Sequence, residues 1–289
     1  MKSVNLASPE SRYASGEAPP LPRRGAAHPL LKWAGGKRKL IAELARYVPQ
    51  SFGTYHEPFF GGGALYFHLA HEPSIISDLN ADLVSTYEAI RDDPDAVVDV
   101  LGTFTNTAEC YYAARTRNFS IGRAAERAAD FVFTNRVGFN GLFRQNTSGR
   151  FNVPFGRSKN PTICDSANLH AVSRMLRGGT TIVHGDFSGV LDRARPGDFA
   201  YCDPPYVPVS ETSSFTGYQK GGFGYADHVR LRDVALELRA RGVSVLLSNS
   251  FAPPVLELYK AFEIHVVEAP RSINSKADGR GLVKEVLIR

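Results

Sequence analysis

Apolar residues recur along this chain with two spacings that take turns, and their order predicts a wound α/β sheet. Leu40, Ile41, Leu44, Ala45 and Val48 fall three and four apart, which predicts a helix face over 37–48. Thr54-Tyr55-His56-Glu57-Pro58 predicts a strand that runs into the bend Gly61-Gly62-Gly63, with a helix over 64–70. A second short strand over 74–77 closes on Asp78, and 81–90 is helical again. From about Asp95 the rhythm changes. Helices near 94–101, 107–119 and 122–135 follow one another with no strand between them, and a segment rich in Gly, Asn and Arg then runs from Asn135 to Pro161. Strands return at 180–184, 199–202, 243–247, 263–267 and 282–288, giving seven with the first two. The expected organisation is one parallel-type α/β sheet from 29–91 and 169–289, interrupted by a mostly helical insertion at 92–168. Residues 1–28 lack apolar periodicity and are rich in Pro, Ser, Ala, Gly and Arg, so a disordered tail is expected, with Arg23 and Arg24 as solvated charges.

Charge alters this picture through its placement more than its total. The chain of 289 residues carries 34 Lys+Arg against 29 Asp+Glu, a weak basic excess. Between Asp130 and Asp165, however, there is no acidic residue, while Arg136, Arg144, Arg150, Arg157 and Lys159 all fall inside. Phe139, Phe143, Phe151 and Phe155 are interleaved with them. Such a segment suits a hairpin pressed on DNA: cations offset phosphate repulsion, and an aromatic can fill a distorted base stack. A hairpin that only covers surface carries mixed charge. Three cysteines, Cys110, Cys164 and Cys202, form no CxxC pair, so neither a disulfide framework nor a metal site is expected and a reducing cytoplasm fits. No apolar run approaches membrane-spanning length, and the N-terminus lacks the apolar core of a signal peptide.

The chemistry is most concentrated at Asp203-Pro204-Pro205-Tyr206, directly after the apolar run Phe199-Ala200-Tyr201-Cys202. A buried strand ends there in a rigid acidic corner, and the prolines remove donors and leave carbonyl acceptors beside the carboxylate. A flat molecule with an exocyclic amino group fits: the acceptors hold the NH2 and Tyr206 stacks on the ring. A bare Asp-Pro-Pro reads as a stiffened turn; the aromatic and the preceding strand favour the functional reading. The glycine run lets backbone approach a ligand closely, and Asp78 at the end of the next strand is placed for ribose hydroxyls. Dinucleotide and S-adenosylmethionine sites share that pairing. Ala64 and Leu65 follow the glycines directly, so the G-x-G-x-x-G spacing of a pyrophosphate cradle is absent. Leu31 to Lys37 holds the sole Trp, Trp33, beside two glycines and Lys37 just ahead of a helix. It reads either as a core aromatic with a solvated lysine or as part of the cofactor site.

Leu31 to Lys37, Glu57 to Gly63, Asp78, Asn135-Arg136 through Asn152-Val153-Pro154-Phe155-Gly156-Arg157, and Asp203 to Tyr206 resemble, in this order, the Dam-type (D12 class) N6-adenine-specific DNA methyltransferases. Phe215-Thr216 and Arg271-Ser272-Ile273 extend the resemblance, which runs from about residue 29 to 289. It implies an S-adenosylmethionine-dependent enzyme, with a seven-stranded Rossmann-like sheet and an inserted DNA-recognition domain carrying a β-hairpin. It implies catalytic roles for Asp203, Pro204 and Tyr206. Cofactor contacts are implied at Trp33, Lys37, Phe59, Gly61, Gly63, Asp78 and Asp203, with Asp186 and Phe187 at the cofactor's adenine ring. DNA contacts are implied at Arg136, Phe139, Asn140, Leu142, Arg144, Asn146, Pro154 and Arg157. By position Phe139 is the intercalating or stacking aromatic, Arg144 the guanine reader, and Leu142 and Pro154 touch a thymine methyl. The implied target is a flipped adenine in double-stranded GATC. Phe139 stands where Tyr is common, and Val137 and Gln145 also depart from the pattern, which bears on flanking preference. A monomer at the nucleoid in the cytoplasm is expected. Three rivals fit less well. An RNA or protein-amide methyltransferase is disfavoured by Asp at 203, a silent DNA-binding protein by the intact Trp33, Lys37, Asp78 and Asp203, and a nicotinamide oxidoreductase by the glycine spacing.

Overall fold

A computed structural model of the protein describes residues 27–33, 35–156, 158–208, 222–270 and 282–289. The expected tail, Arg157, Phe215-Thr216 and Arg271-Ser272-Ile273 lie outside the described residues. Seven strands form one sheet: β1 (Tyr55–Glu57), β2 (Ser74–Asp78), β3 (Thr180–His184), β4 (Phe199–Cys202), β5 (Ser244–Ser250), β6 (Ile264–Pro270) and β7 (Leu282–Ile288). Their spatial order is β3-β2-β1-β4-β5-β7-β6. The first five are parallel, and β7 enters antiparallel between β5 and β6. The chain winds outward from β1 to β3, returns to the middle as β4, and winds out the other way. The order therefore reverses between β1 and β4, where the register sets Tyr55 opposite Phe199 and His56 opposite Ala200. Open α/β sheets hold ligands outside the carboxyl ends of their strands at such a reversal. Glu57-Pro58 and Cys202-Asp203 are the two strand ends that meet there.

Side chains alternate along β4: Phe199 and Tyr201 enter one apolar core, Ala200 and Cys202 the other. On the first face lie α1 (Ile41–Ala45), α2 (Ala64–Leu69), α3 (Ala81–Asp92), α4 (Pro94–Gly102), α5 (Ala108–Arg117), α6 (Ala124–Val137) and α7 (Ser166–Arg177). On the second lie α8 (Val190–Arg193), α9 (Tyr225–Ala240) and α10 (Pro253–Leu258). Helix starts follow local chemistry. Asn80 accepts from the amides of Asp82 and Leu83, Asp93 caps α4 ahead of Pro94, and Thr107 and Asp165 cap α5 and α7. Helices α4 and α6 pack on α3, and α4 also packs on α7, so the 92–168 stretch shares its apolar core with the sheet's first face. Among the described residues no helix is long and apolar enough to cross a membrane.

One expectation needs correction. The helix foreseen over 37–48 is one short turn, Ile41–Ala45, flanked by i→i+3 bonds from Leu40 N–H to Lys37 O and Val48 N–H to Ala45 O. Lys37 is turned inward into the site, which removes it from the regular helix. Among the described residues, the basic segment carries two isolated antiparallel bridges, Gly138 with Phe155 and Gln145 with Phe151.

Candidate active site

At the end of β4 the Asp203 carboxylate meets two donors through one oxygen. Lys37 Nζ stands 2.9 Å from Oδ1, and Ser248 Oγ donates to the same atom at 2.8 Å. Lys37 is only 5% exposed. Its desolvation is offset by Asp203, by the Gly35 carbonyl at 2.7 Å, and by the Tyr206 ring, whose centroid is 4.5 Å away. Pro204 is buried beside it. Tyr206 OH donates to Glu285 Oε2 on β7 at 2.8 Å. The next residue is also held: Asn249 Oδ1 accepts from Val207 N–H at 3.2 Å, and Ser250 Oγ donates to Val207 O at 2.6 Å. Sequence reasoning missed Ser248, Asn249, Ser250 and Glu285. The first three did leave a signal, a fully polar Ser-Asn-Ser triplet closing an otherwise apolar strand. Glu285 left none.

The glycine bend packs against Trp33. Gly61 has φ +46, and a Cβ there would lie 2.6 Å from the Trp33 indole. Gly63, also left-handed, caps α2. Gly61 N–H donates to Asp78 Oδ2 and Asn80 N–H to Oδ1, each at 2.9 Å. Burial pushes the Asp78 carboxyl up, and these amide bonds oppose the rise. Glu57, at the end of β1, is fully buried. Burial pushes it up to about 8, against the hydrogen bond it accepts from Tyr55 OH at 2.8 Å. Past β3, Asp186 Oδ1 accepts from Ser188 N–H and Oγ and from Arg230 Nη2 at 2.9 Å. Phe187 is buried, stacked on Phe59 at 5.3 Å and covered by the Arg230 guanidinium at 4.9 Å.

Trp33 also ties this end of the sheet to the basic segment, stacking on Phe143 at 5.5 Å and Phe131 at 6.4 Å. Asn135 makes the tie rigid. Its side chain accepts from Lys32 N–H at 2.8 Å and donates to Lys32 O at 2.7 Å and Gly141 O at 3.2 Å. Beyond that clamp the predicted DNA residues divide. Phe139 is 47% exposed, and Asn140, at φ +55, and Pro154 are exposed beside it. Leu142 is half-buried on the core. Arg144 is exposed but folded back, its Nε donating to Asn152 Oδ1 at 2.7 Å. Asn146 is spent on its own turn, accepting from Ser148 and Arg150 amides. Arg136 is half-buried, and its Nε has no hydrogen-bond partner among the described residues. The aromatics do not act as one outward set: Phe143 stacks on Phe131, Phe151 meets Phe119 edge-on, and Phe155 is tilted against Tyr111. These three rings anchor the hairpin to its neighbours, beside the cross-strand bonds from Phe139 N–H to Pro154 O and from Asn152 N–H to Arg144 O.

Comparison with known proteins gives the same family from independent ground. A match to the D12 class N6 adenine-specific DNA methyltransferases spans residues 33–273. The chain is 42% identical over 267 residues to the Type II methyltransferase M1.LlaDCHI of Lactococcus lactis subsp. cremoris, covering 90% of this chain and 94% of that protein. It is 38% identical over 274 residues to the Type II methyltransferase M.MjaIII of Methanocaldococcus jannaschii, covering 87% and 94%. With the DNA adenine methylase of Escherichia coli K12 it shares 34% over 261 residues, covering 89% and 93%. Similarity at this level along nearly the whole chain places the protein in the D12 class of N6-adenine-specific DNA methyltransferases.

Proposed function

We propose that this DNA adenine methyltransferase draws its methyl group from S-adenosylmethionine and sets it on N6 of an adenine flipped out of duplex DNA, with GATC as the site. One observation carries the reading: the Asp203–Tyr206 corner already holds an amine. The Lys37 ammonium lies against the Asp203 carboxylate and over the Tyr206 ring, at 2.9 and 4.5 Å. A planar base with an exocyclic NH2 asks for the same two partners.

The residues at the strand ends suit the cofactor. A glycine bend where Gly61 admits no side chain, the Asp78 carboxylate and the buried Lys37 ammonium match a ribose and a zwitterionic amino-acid end. Trp33 and Lys37 would lie at the methionine end, with Phe59, Asp186 and Phe187 at the adenine end. When bound, the cofactor supplies a methyl group activated by a sulfonium.

Adenine N6 is a poor nucleophile because its lone pair is delocalised into the ring. The Asp203 carboxylate and the Pro204 carbonyl accept its two hydrogens and direct the lone pair outward. Flipping costs a few kcal/mol, and stacking on Tyr206 returns about 1–3 kcal/mol of it. Fixed placement then supplies much of the rate. In the 92–168 unit, which we assign to target recognition, Phe139 fills the stack left by the flipped base. Arg144 reads a guanine, a contact worth about 1–3 kcal/mol of discrimination. Leu142 and Pro154 meet a thymine methyl, and Arg136, Asn140, Asn146 and Arg157 make further contacts to the DNA. The enzyme works as a monomer on chromosomal DNA in the cytoplasm.

The test is methyl transfer from radiolabelled S-adenosylmethionine to duplexes differing at one base of GATC. Label on N6 of adenine in the intact site alone is the expected result. Label on both duplexes would remove the assigned specificity, and label on neither would remove the substrate.

A further inference from the structure

The stacking ring is held from a strand that carries none of the motifs marking the site. Tyr206 is fixed at two ends. On its chain side, Val207 is tied to β5 through Asn249 and Ser250 at 3.2 and 2.6 Å. On its ring side, the hydroxyl donates to Glu285 Oε2 at 2.8 Å. A tyrosine side chain has two torsions between backbone and hydroxyl, so fixing both ends sets the ring plane. Glu285 itself stands on a firm mount. β7 is paired on both sides, with Glu285 opposite Ser250 on β5 and Val267 on β6. Its carboxylate makes no ion pair among the described residues, and Tyr206 is its side-chain hydrogen-bond partner. A phenol donating to a carboxylate is a charge-assisted bond, stronger than a neutral one. Burial raises the Tyr206 phenol well above its ordinary range, which keeps it a donor.

Resting on the proposed stacking of a flipped adenine on Tyr206, we infer that Glu285 is a positioning residue for methyl transfer, whose carboxylate holds the Tyr206 ring in the plane that receives the base. It touches neither substrate nor cofactor and acts through the tyrosine alone.

The experiment is a double-mutant cycle on the full-length protein, using E285A, E285Q, Y206F and Y206F/E285A. Two readouts are taken: the single-turnover transfer rate, and the emission of 2-aminopurine at the target position with S-adenosylhomocysteine present. That probe is bright when flipped and unstacked and dim when stacked on a ring. E285A should lower the rate about tenfold or more, the loss expected for a hydrogen bond to a charged group, and brighten the flipped probe. E285Q keeps an acceptor and should recover part of both. In the Y206F background, where the hydroxyl is gone, E285A should change neither. Unchanged binding of S-adenosylhomocysteine shows that each variant is folded. Equal effects of E285A in both backgrounds would overturn the inference, since Glu285 would then act through the fold. A wild-type rate kept by E285A would also overturn it. Failure of the wild-type protein itself to methylate or flip any adenine duplex would instead overturn the proposed function, whatever the variants did.

Discussion

Lys37 and Asp203 form an ion pair of 2.9 Å in which the ammonium is almost wholly removed from water while the carboxylate keeps an open side. The carboxylate's open side is the one that, in the proposed reaction, faces the incoming amine. Removing one partner of a buried pair costs more than removing both. Lys37→Met should therefore lower stability by about 2–3 kcal/mol, discounted for the open side of Asp203. A Lys37→Met/Asp203→Asn double variant should lose less than the sum of the singles. Urea unfolding of the four proteins measures the coupling, and strict additivity would deny it.

Asp203→Ala should abolish methyl transfer and leave the fold standing but weakened by about 2–3 kcal/mol, because it strands the Lys37 ammonium while Ser248 keeps its bond to Tyr201 at 3.0 Å. Turnover at even a tenth of the wild-type rate would count decisively against the assigned role.

Glu57 makes stability depend on pH in an unusual direction for a carboxyl group. Its folded pKa, about 8, lies above the ordinary 4.5. The folded state therefore holds a proton that the unfolded state releases. Stability from this group is full below about pH 4.5 and falls as pH rises towards 8, by at most about 1.4 kcal/mol per unit. Glu57→Gln, which copies the protonated form, should match the wild type near pH 5 and exceed it near pH 9. Parallel stability curves from pH 5 to 9 would contradict this.

Gly61→Ala places a methyl group 2.6 Å from the Trp33 indole on a backbone at φ +46. It should cost about 1–2 kcal/mol from the backbone alone and weaken cofactor binding as well. Trp33→Ala in the same protein should relieve the clash and not the backbone strain. Urea unfolding of the single and double variants separates the two: a double variant no more stable than the sum of the singles would deny the clash.

Arg144→Ala should reduce discrimination at one guanine by about 1–3 kcal/mol while keeping part of the DNA affinity. Asn152→Ala, which releases the guanidinium from Asn152 Oδ1, should leave discrimination in place. Competition between GATC and substituted duplexes provides the measurement; equal discrimination by Arg144→Ala and wild type would refute the reader.

Most of the sheet was legible because its strands are short apolar runs closed by glycine, proline or aspartate. Three of them, over 180–184, 199–202 and 282–288, coincide with the observed strands. Local pattern could not show that β7 enters antiparallel between β5 and β6, because that depends on which neighbour is left unpaired once the parallel strands are laid down. The helix over 37–48 misled because its apolar spacing is real, yet Lys37 gains more from Asp203 than from continuing a helix. The site's acidic corner and glycine bend were visible as motifs. Of their supports, Ser248 stood in a visible polar triplet whose partner could not be read, and Glu285, a lone glutamate in a strand, had no pattern of its own. In the basic segment the alternation of Phe and Arg was visible, but which rings face inward is decided by partners outside it: Tyr111 on α5, Phe119 in the turn after α5, and Phe131 on α6.

Trp33 has one face of its environment in the glycine bend and another in the hairpin. The part of the protein that would choose a DNA sequence is therefore not a detachable cassette. A hairpin transplanted from a relative with a different target would need an aromatic at position 143 to keep the indole seated over Gly61. On the proposed function, new sequence preferences would be reached most readily by changing the exposed tip, at 139, 140, 144 and 154, with the inward rings kept as one block.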